Sequence, residues 1–387
     1  MAAADLTLSP EWSFLLSACS AIPKEQRLVD LRSLITPSIQ WKSLFALADR
    51  NGVQPLLYRA LLGSDDAVPA GEMRSLKQGY YANLHKTLLL SRELMRILDH
   101  LATHGVEVMP YKGLALAEAL YSDITLRQAG DIDLLIRVQD MPQVRSAVGE
   151  LGYVPHSPLS ADQERSYLKS GYECVFDTAE AHNLLEVQWA IQPRFYAVDF
   201  DLDGMFQRAM TVTVAEHAMK TPAYADLLLI LSVHAAKHVW SRLVWLCDIA
   251  QLLALPNLDW KWIAVEARRL GIVRILWVTV LAANRLLQVR IPPDAQASLP
   301  QDSASLTLVD ELIGHITSER DYDVESIAYF RLMMRLRERP TDRLRFSQRL
   351  IFTPGPGEWQ AVRLPGPLFP LYRLVRLSRL AARLVRA

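Results

Sequence analysis

Apolar positions in the first hundred residues recur at helical spacing. Trp41, Leu44, Phe45 and Ala48 fall three and four apart, and Leu56, Leu57 and Ala60 resume the pattern after the Asn51-Gly52 break. Residues 10–62 therefore read as short helices. Pro69 to His104 reads as one long helix, free of internal proline and closed by Gly105. The period then shortens. Val106 to Tyr111 is a short apolar run and predicts a strand, Lys112-Gly113 a turn, and Leu114 to Tyr121 a helix. Asp131 to Ile136 predicts a second strand and Met141 to Leu151 a helix ending at Gly152. Tyr172–Phe176 and Leu184–Trp189 predict two further strands joined by a turn around Glu180 to Asn183. This order implies a small α/β sandwich. From Tyr224 the pattern is helical again, over 224–239, 241–254, 259–270, 272–288 and several segments to 339. Residues 353–370, rich in Pro and Gly, read as a loop before a last helix from about Leu371 to Val385.

Composition narrows the class. The 387 residues suffice for two or three domains, and 51% hydrophobic against 22% charged residues favours a sizeable packed core over disorder. Cys19, Cys174 and Cys247 are scattered, with no CxxC or Cys/His spacing, which speaks against a disulfide framework or a zinc site and suits a reducing compartment. The N-terminus shows no basic segment followed by an apolar run. The longest apolar stretches, such as 276–283 between Arg274 and Arg285, are too short for a membrane span. A cytoplasmic location is expected. The net charge is zero, but thirteen arginines against three acids from Arg331 onward leave the first 330 residues acidic. That balance disfavours long nucleic acid as a partner.

The candidate chemistry lies in residues 111–138, YKGLALAEALYSDITLRQAGDIDLLIRV. Residues two apart on a strand share a face, so Asp131 and Asp133 stand side by side, with Ile132 and Leu134 turned into the core. Two adjacent carboxylates repel unless a cation lies between them, and Mg²⁺ prefers carboxylates with phosphate oxygens. An isolated pair of this kind is more often a strand end with two solvated acids. Lys112-Gly113 changes that weighing, because a strand-to-helix turn offers backbone N–H groups, a helix dipole and a lysine charge to phosphate. Gly130 before the pair permits close approach. In Asn183-Leu-Leu-Glu-Val-Gln-Trp189, Glu186 points opposite to Leu185 and Val187 and is a natural third metal ligand, with Gln188 on its face; the plain alternative is an edge-strand acid in water.

The ordered run KG…R…DIDLLI…LGY, followed by the strand that carries Glu186 and Trp189, resembles the bacterial family known as uncharacterised nucleotidyltransferases, within the DNA polymerase β-like nucleotidyltransferase superfamily. The resemblance covers roughly 40–255 and extends to the TPGPGEW segment. It implies an α+β fold, a small mixed-sheet core flanked by N- and C-terminal helical segments, with the active site at strand ends. The corresponding organisation is a helical region over 1–104, the nucleotidyltransferase core over 105–215, a helical domain over 216–339, and a basic loop and amphipathic helix over 340–387. By the resemblance Lys112 and Gly113 form the phosphate-binding turn, Asp131 and Asp133 the metal pair, Glu186 the third acid, and Arg127 the arginine preceding the pair. Leu114 stands where the usual turn has a second small residue, and Gln188 where a histidine is common. The expected reaction is attack by a hydroxyl or phosphate acceptor on the α-phosphate of an NTP, with Mg²⁺ (or Mn²⁺) and release of pyrophosphate. The rivals are a DxD glycosyltransferase using a nucleotide sugar and a non-catalytic nucleotide-binding module of the same fold.

Two further segments carry charge in a pattern. His234 and His238 share a helix face, and with Lys237 they either line the nucleotide cleft or form hydrogen bonds in a helix interface; no HExxH glutamate follows His234. In the last helix Arg376, Arg379, Arg383 and Arg386 form one arc opposite Leu371, Leu374, Val375, Leu377, Leu380, Leu384 and Val385. Such a helix can lie on an anionic membrane. The acidic body favours packing in cis instead, with the apolar arc buried.

Overall fold

Alternation along short strands builds a sheet with one oily and one acidic face. The computed structural model describes residues 8–62, 68–179, 185–299, 302–318, 323, 326–362, 364 and 366–386. Strands β1 (Met109–Pro110), β2 (Ile132–Leu135), β3 (Val154–Pro155), β4 (Glu173–Asp177) and β5 (Leu185–Gln188) lie in the order β1-β2-β5-β4-β3. β2 and β5 are parallel and the other neighbours antiparallel, so the sheet is mixed. Asp133 is in register with Glu186, Glu186 with Val175, and Gln188 with Glu173. On the opposite face Ile132, Leu134, Leu185, Val187 and Phe176 are buried. They pack on Leu94, Ile97 and Leu101 of the Ala70–Thr103 helix and on Val144 and Val148 of the Met141–Glu150 helix.

The helices before and after the sheet share one core. Trp12, Phe14, Leu44 and Leu57 pack in the same cluster as Leu228, Trp240, Leu276, Val309 and Phe346. Their ends follow ordinary cap chemistry. Ser9 accepts from Trp12 N–H ahead of Pro10, and Asp259 caps the Trp260–Leu270 helix, which Gly271 closes in the left-handed conformation. The observed class is α+β, with a small mixed sheet and helical segments on both sides. No helix among the described residues is long and apolar enough to cross a membrane.

Several elements differ from the sequence reading. The first strand shrinks to Met109–Pro110, and a proline has no N–H to extend a ladder. The Ala161–Ser170 helix is not foreseen, because it buries no residue; it starts on a capping box between Ser160 and Gln163. The hairpin of β6 (Met210–Val214) and β7 (His217–Thr221) is likewise new. The turn expected around Glu180 to Asn183 lies outside the described residues. The expected loop over 353–370 contains a helix, Pro356–Ala361, because Pro356 suits the first helical position and Glu358 accepts from Gly355 N–H at 2.8 Å.

The C-terminal helix, Tyr372–Arg386, corrects one expectation. Tyr372, Arg376 and Arg379, spaced i, i+4 and i+7, face the body. Tyr372 is buried, and Arg376 and Arg379 reach the buried Glu358 at 3.4 and 2.9 Å. The start of the apolar arc is not buried: Leu371, Leu374 and Leu377 are 43%, 61% and 38% exposed. A buried carboxylate requires the arginine side, which turns these leucines outward.

Candidate active site

The acidic face of the sheet gathers the residues singled out from sequence. Asp133 lies on β2 beside Glu186 on β5, and Asp131 directly precedes β2. A fourth acid, Glu173 of β4, joins them through Gln188. The Gln188 amide Nε2 lies 3.0 Å from Glu186, 3.4 Å from Asp133 and 3.4 Å from Glu173, and its carbonyl accepts from the Tyr111 hydroxyl. The bridging role of Gln188 agrees with its shared face. Glu173 was missed, because only the register of β4 on β5 brings it there.

Crowding of carboxylates shows in their acidity. Burial, then repulsion from Asp133, pushes Asp131 up to about 6. Burial, then Asp133 and Glu173, pushes Glu186 up to about 8. Burial also raises Glu173. Lys112 answers part of this charge. Its Nζ donates to Asp133 Oδ1 at 2.8 Å, with the two side chains 15% and 3% exposed. Burial alone would lower the Lys112 ammonium, but Asp133 and Tyr111 hold it well above the usual lysine range. The donor set is all carboxylate oxygen with one amide, which suits a hard dication.

Gly113 follows at the start of the Gly113–Tyr121 helix, whose first turn no side chain caps. Its φ is +51°, and a Cβ there would lie 3.4 Å from the Asp131 carbonyl oxygen. The left-handed backbone favours a glycine here. The uncapped N–H groups of this helix therefore begin beside the Asp131 backbone, in the arrangement that binds phosphate.

The family model described as uncharacterised nucleotidyltransferase matches residues 37–288. The chain belongs to this family of uncharacterised nucleotidyltransferases. No curated protein and no solved structure matches the chain. The match takes in the whole acidic face, the Lys112-Gly113 turn and the helices opposite, and ends before the C-terminal arginine-rich region.

Within this member of the family the remaining predicted residues divide. Arg127 is buried and bound to Asp248, with Nε 3.0 Å from Oδ2, and the Tyr121 hydroxyl donates to the same carboxylate at 2.9 Å. Burial opposes the Arg127 charge, and Asp248 restores and raises it. Its guanidinium thus holds the Leu243–Ala254 helix to the segment before β2, and its charge still reaches Asp131. His234 meets Trp245 edge-on at a ring separation of 5.0 Å, His238 meets it tilted at 5.3 Å, and the two imidazoles lie 4.8 Å apart. Burial, then the Lys112 charge, lowers His234 well below its ordinary value, and burial, then Lys237, lowers His238 to about 4. Both shifts favour the neutral rings. Lys237 reaches the site more directly: it donates to the Tyr172 hydroxyl at 3.2 Å, and Glu173, Glu186 and Asp133 act on its charge. Lys86, exposed on the long helix, also acts on Asp131 and carried no sequence signal. Beside Glu173, a cavity of about 590 Å³ opens along β4, walled by Tyr167, Trp189 and Trp359.

Proposed function

We propose that this chain is a metal-dependent nucleotidyltransferase that moves a nucleoside monophosphate from an NTP to a hydroxyl or phosphate acceptor. The acceptor oxygen attacks the α-phosphorus, the bond to the β-phosphate oxygen breaks, and pyrophosphate leaves. The observation that carries this reading is the shared sheet face of Asp133, Glu186 and Glu173, with Asp131 at its edge, where burial and repulsion hold Asp131 near 6 and Glu186 near 8. Asp131, Asp133 and Glu186 are the residues that would hold Mg²⁺ or Mn²⁺. Bound there, the dication supplies neutralisation of the acids and of the phosphate charge that builds up during transfer.

The chain's own groups account for the rest. Lys112 exchanges its bond to Asp133 for the β- and γ-phosphates, and the Gly113 helix start offers them N–H groups. Glu186, the acid on β5 in register with Asp133, accepts a proton from an acceptor hydroxyl. The neutral rings of His234 and His238 present hydrogen-bonding edges, and Lys237 adds positive charge on the same side.

The acceptor is found by incubating the protein with each α-labelled NTP, Mg²⁺ or Mn²⁺, and a metabolite fraction, then identifying labelled product by mass spectrometry. Transfer of the α-phosphate with pyrophosphate release supports the reading. Transfer of a sugar from a nucleotide sugar instead would replace it.

A further inference from the structure

Away from the acidic face, two helices end at one place. The Ala70–Thr103 helix, on the back of the sheet, finishes with His100 in its last turn and His104 at its cap. The Met141–Glu150 helix, packed on the same face, finishes with Glu150. His100 and His104 are four apart and share a face. Their ring centroids lie 4.6 Å apart. His100 Nε2 is 3.0 Å and His104 Nε2 3.5 Å from the same oxygen, Oε2 of Glu150. The three donor atoms lie within 4.8 Å of one another.

His104 Nδ1 lies 3.0 Å from the His100 carbonyl oxygen and 3.3 Å from Thr103 Oγ1, which is itself 2.7 Å from that carbonyl. The carbonyl can only accept, so Nδ1 serves it and Nε2 is the nitrogen turned to Glu150. Nε2 of His100 is turned to the same carboxylate oxygen. Two imidazole nitrogens converging with one carboxylate oxygen are a metal-ligand set. The backbone favours a cation as well, because both helices direct the negative ends of their dipoles here. Arg96, one turn before His100 on the same helix, is bound to Glu93 at 2.5 Å and reaches the Leu151 carbonyl at 3.4 Å.

We propose that His100, His104 and Glu150 form a binding site for a zinc-class dication that staples the C-terminal ends of these two helices. Imidazole with one carboxylate suits Zn²⁺ better than the hard cations. Ligands around tetrahedral zinc stand about 3.3 Å apart, and the contacts of 3.0 and 3.5 Å bracket that value. The bond from His104 Nδ1 to the His100 carbonyl fixes the ring as an outer-shell partner does in known zinc sites. The Gln143 amide also donates to the His104 carbonyl and holds the cap in place. With three protein ligands and partial exposure, the fourth position belongs to water. The site is separate from the acidic face, and its role is to fasten the helices behind the sheet.

The test titrates Zn²⁺ by calorimetry into chelator-stripped full-length protein, with excess Mg²⁺ present to occupy the acid cluster. Parallel titrations use His104→Ala and Glu150→Gln, each checked for folding by circular dichroism. The wild type should bind one equivalent that raises its melting temperature, and both variants should bind that equivalent at least tenfold more weakly. Co²⁺ should give the wild type a visible tetrahedral absorption that His104→Ala lacks. Equal Zn²⁺ affinity and stoichiometry in all three proteins, or a wild type whose melting temperature Zn²⁺ does not raise, would overturn the proposal. Should Glu150→Gln fold and His104→Ala not, the comparison of Glu150→Gln with wild type decides alone.

Discussion

At the scale of single residues, the acidic face separates two aspartates that look equivalent. Asp133 holds Lys112, whereas Asp131 is raised by burial and by Asp133 itself. Neutralising Asp131 removes repulsion, so Asp131→Asn should leave the metal-free protein as stable or more stable. Asp133→Asn leaves a buried lysine without its partner. Breaking a buried pair typically costs roughly 3–5 kcal/mol, and the acids that remain around Lys112 reduce this to about 1–3 kcal/mol. Urea denaturation without metal checks both. Acidity gives a second expectation. Asp131 and Glu186 bind protons more tightly folded than unfolded, so their cost is absent below the ordinary carboxylate range. It grows from that range upward and levels off once pH has passed about 6 for Asp131 and about 8 for Glu186. Metal-free stability should fall across that window, and Glu186→Gln should recover on the order of 2 kcal/mol at its alkaline end. A flat profile in wild type would show that these acids are not crowded.

At the scale of elements, the turn before the Gly113–Tyr121 helix places a helix start against the Asp131 backbone. Gly113→Ala puts a Cβ into a left-handed residue 3.4 Å from a carbonyl oxygen. It should cost about 1–2 kcal/mol and weaken NTP binding, measured by denaturation and by calorimetry. Retained NTP affinity in a destabilised variant would confine Gly113 to a structural part. Much of this arrangement is legible in the residues. Period-two alternation in IDLL and LEVQ gives the face of Asp133 and Glu186, and Lys112-Gly113 lies between a strand and a helix as read. Other parts are not legible locally. Glu173 belongs to the cluster only through the β4–β5 register, a long-range fact. The Ala161–Ser170 helix buries none of its residues, so it leaves no apolar stripe to read. The engagement of Arg127 by Asp248 joins positions 121 apart in sequence. His100 and His104 had the spacing of metal ligands, but Glu150 comes from another helix.

At the scale of the whole molecule, the acidic sheet face is set between helices from both halves of the chain, which share one core. The C-terminal helix closes this body through Tyr372, Arg376 and Arg379. Deleting 372–387 leaves Glu358 buried and unpaired, so the melting temperature should fall by several degrees, as about 2–3 kcal/mol would cause. If the melting temperature held and only the full-length chain pelleted with anionic vesicles, the outward leucines would belong to a membrane contact instead. The central claim is the metal-dependent nucleotide site, and it can be tested without knowing the acceptor. The measurement is calorimetric binding of a non-hydrolysable NTP analogue to wild type with Mg²⁺, to wild type with chelator, and to Asp131→Asn with Mg²⁺. The account predicts binding in the first case and at least tenfold weaker binding in the other two. Equal binding in all three, or none in any, would contradict it.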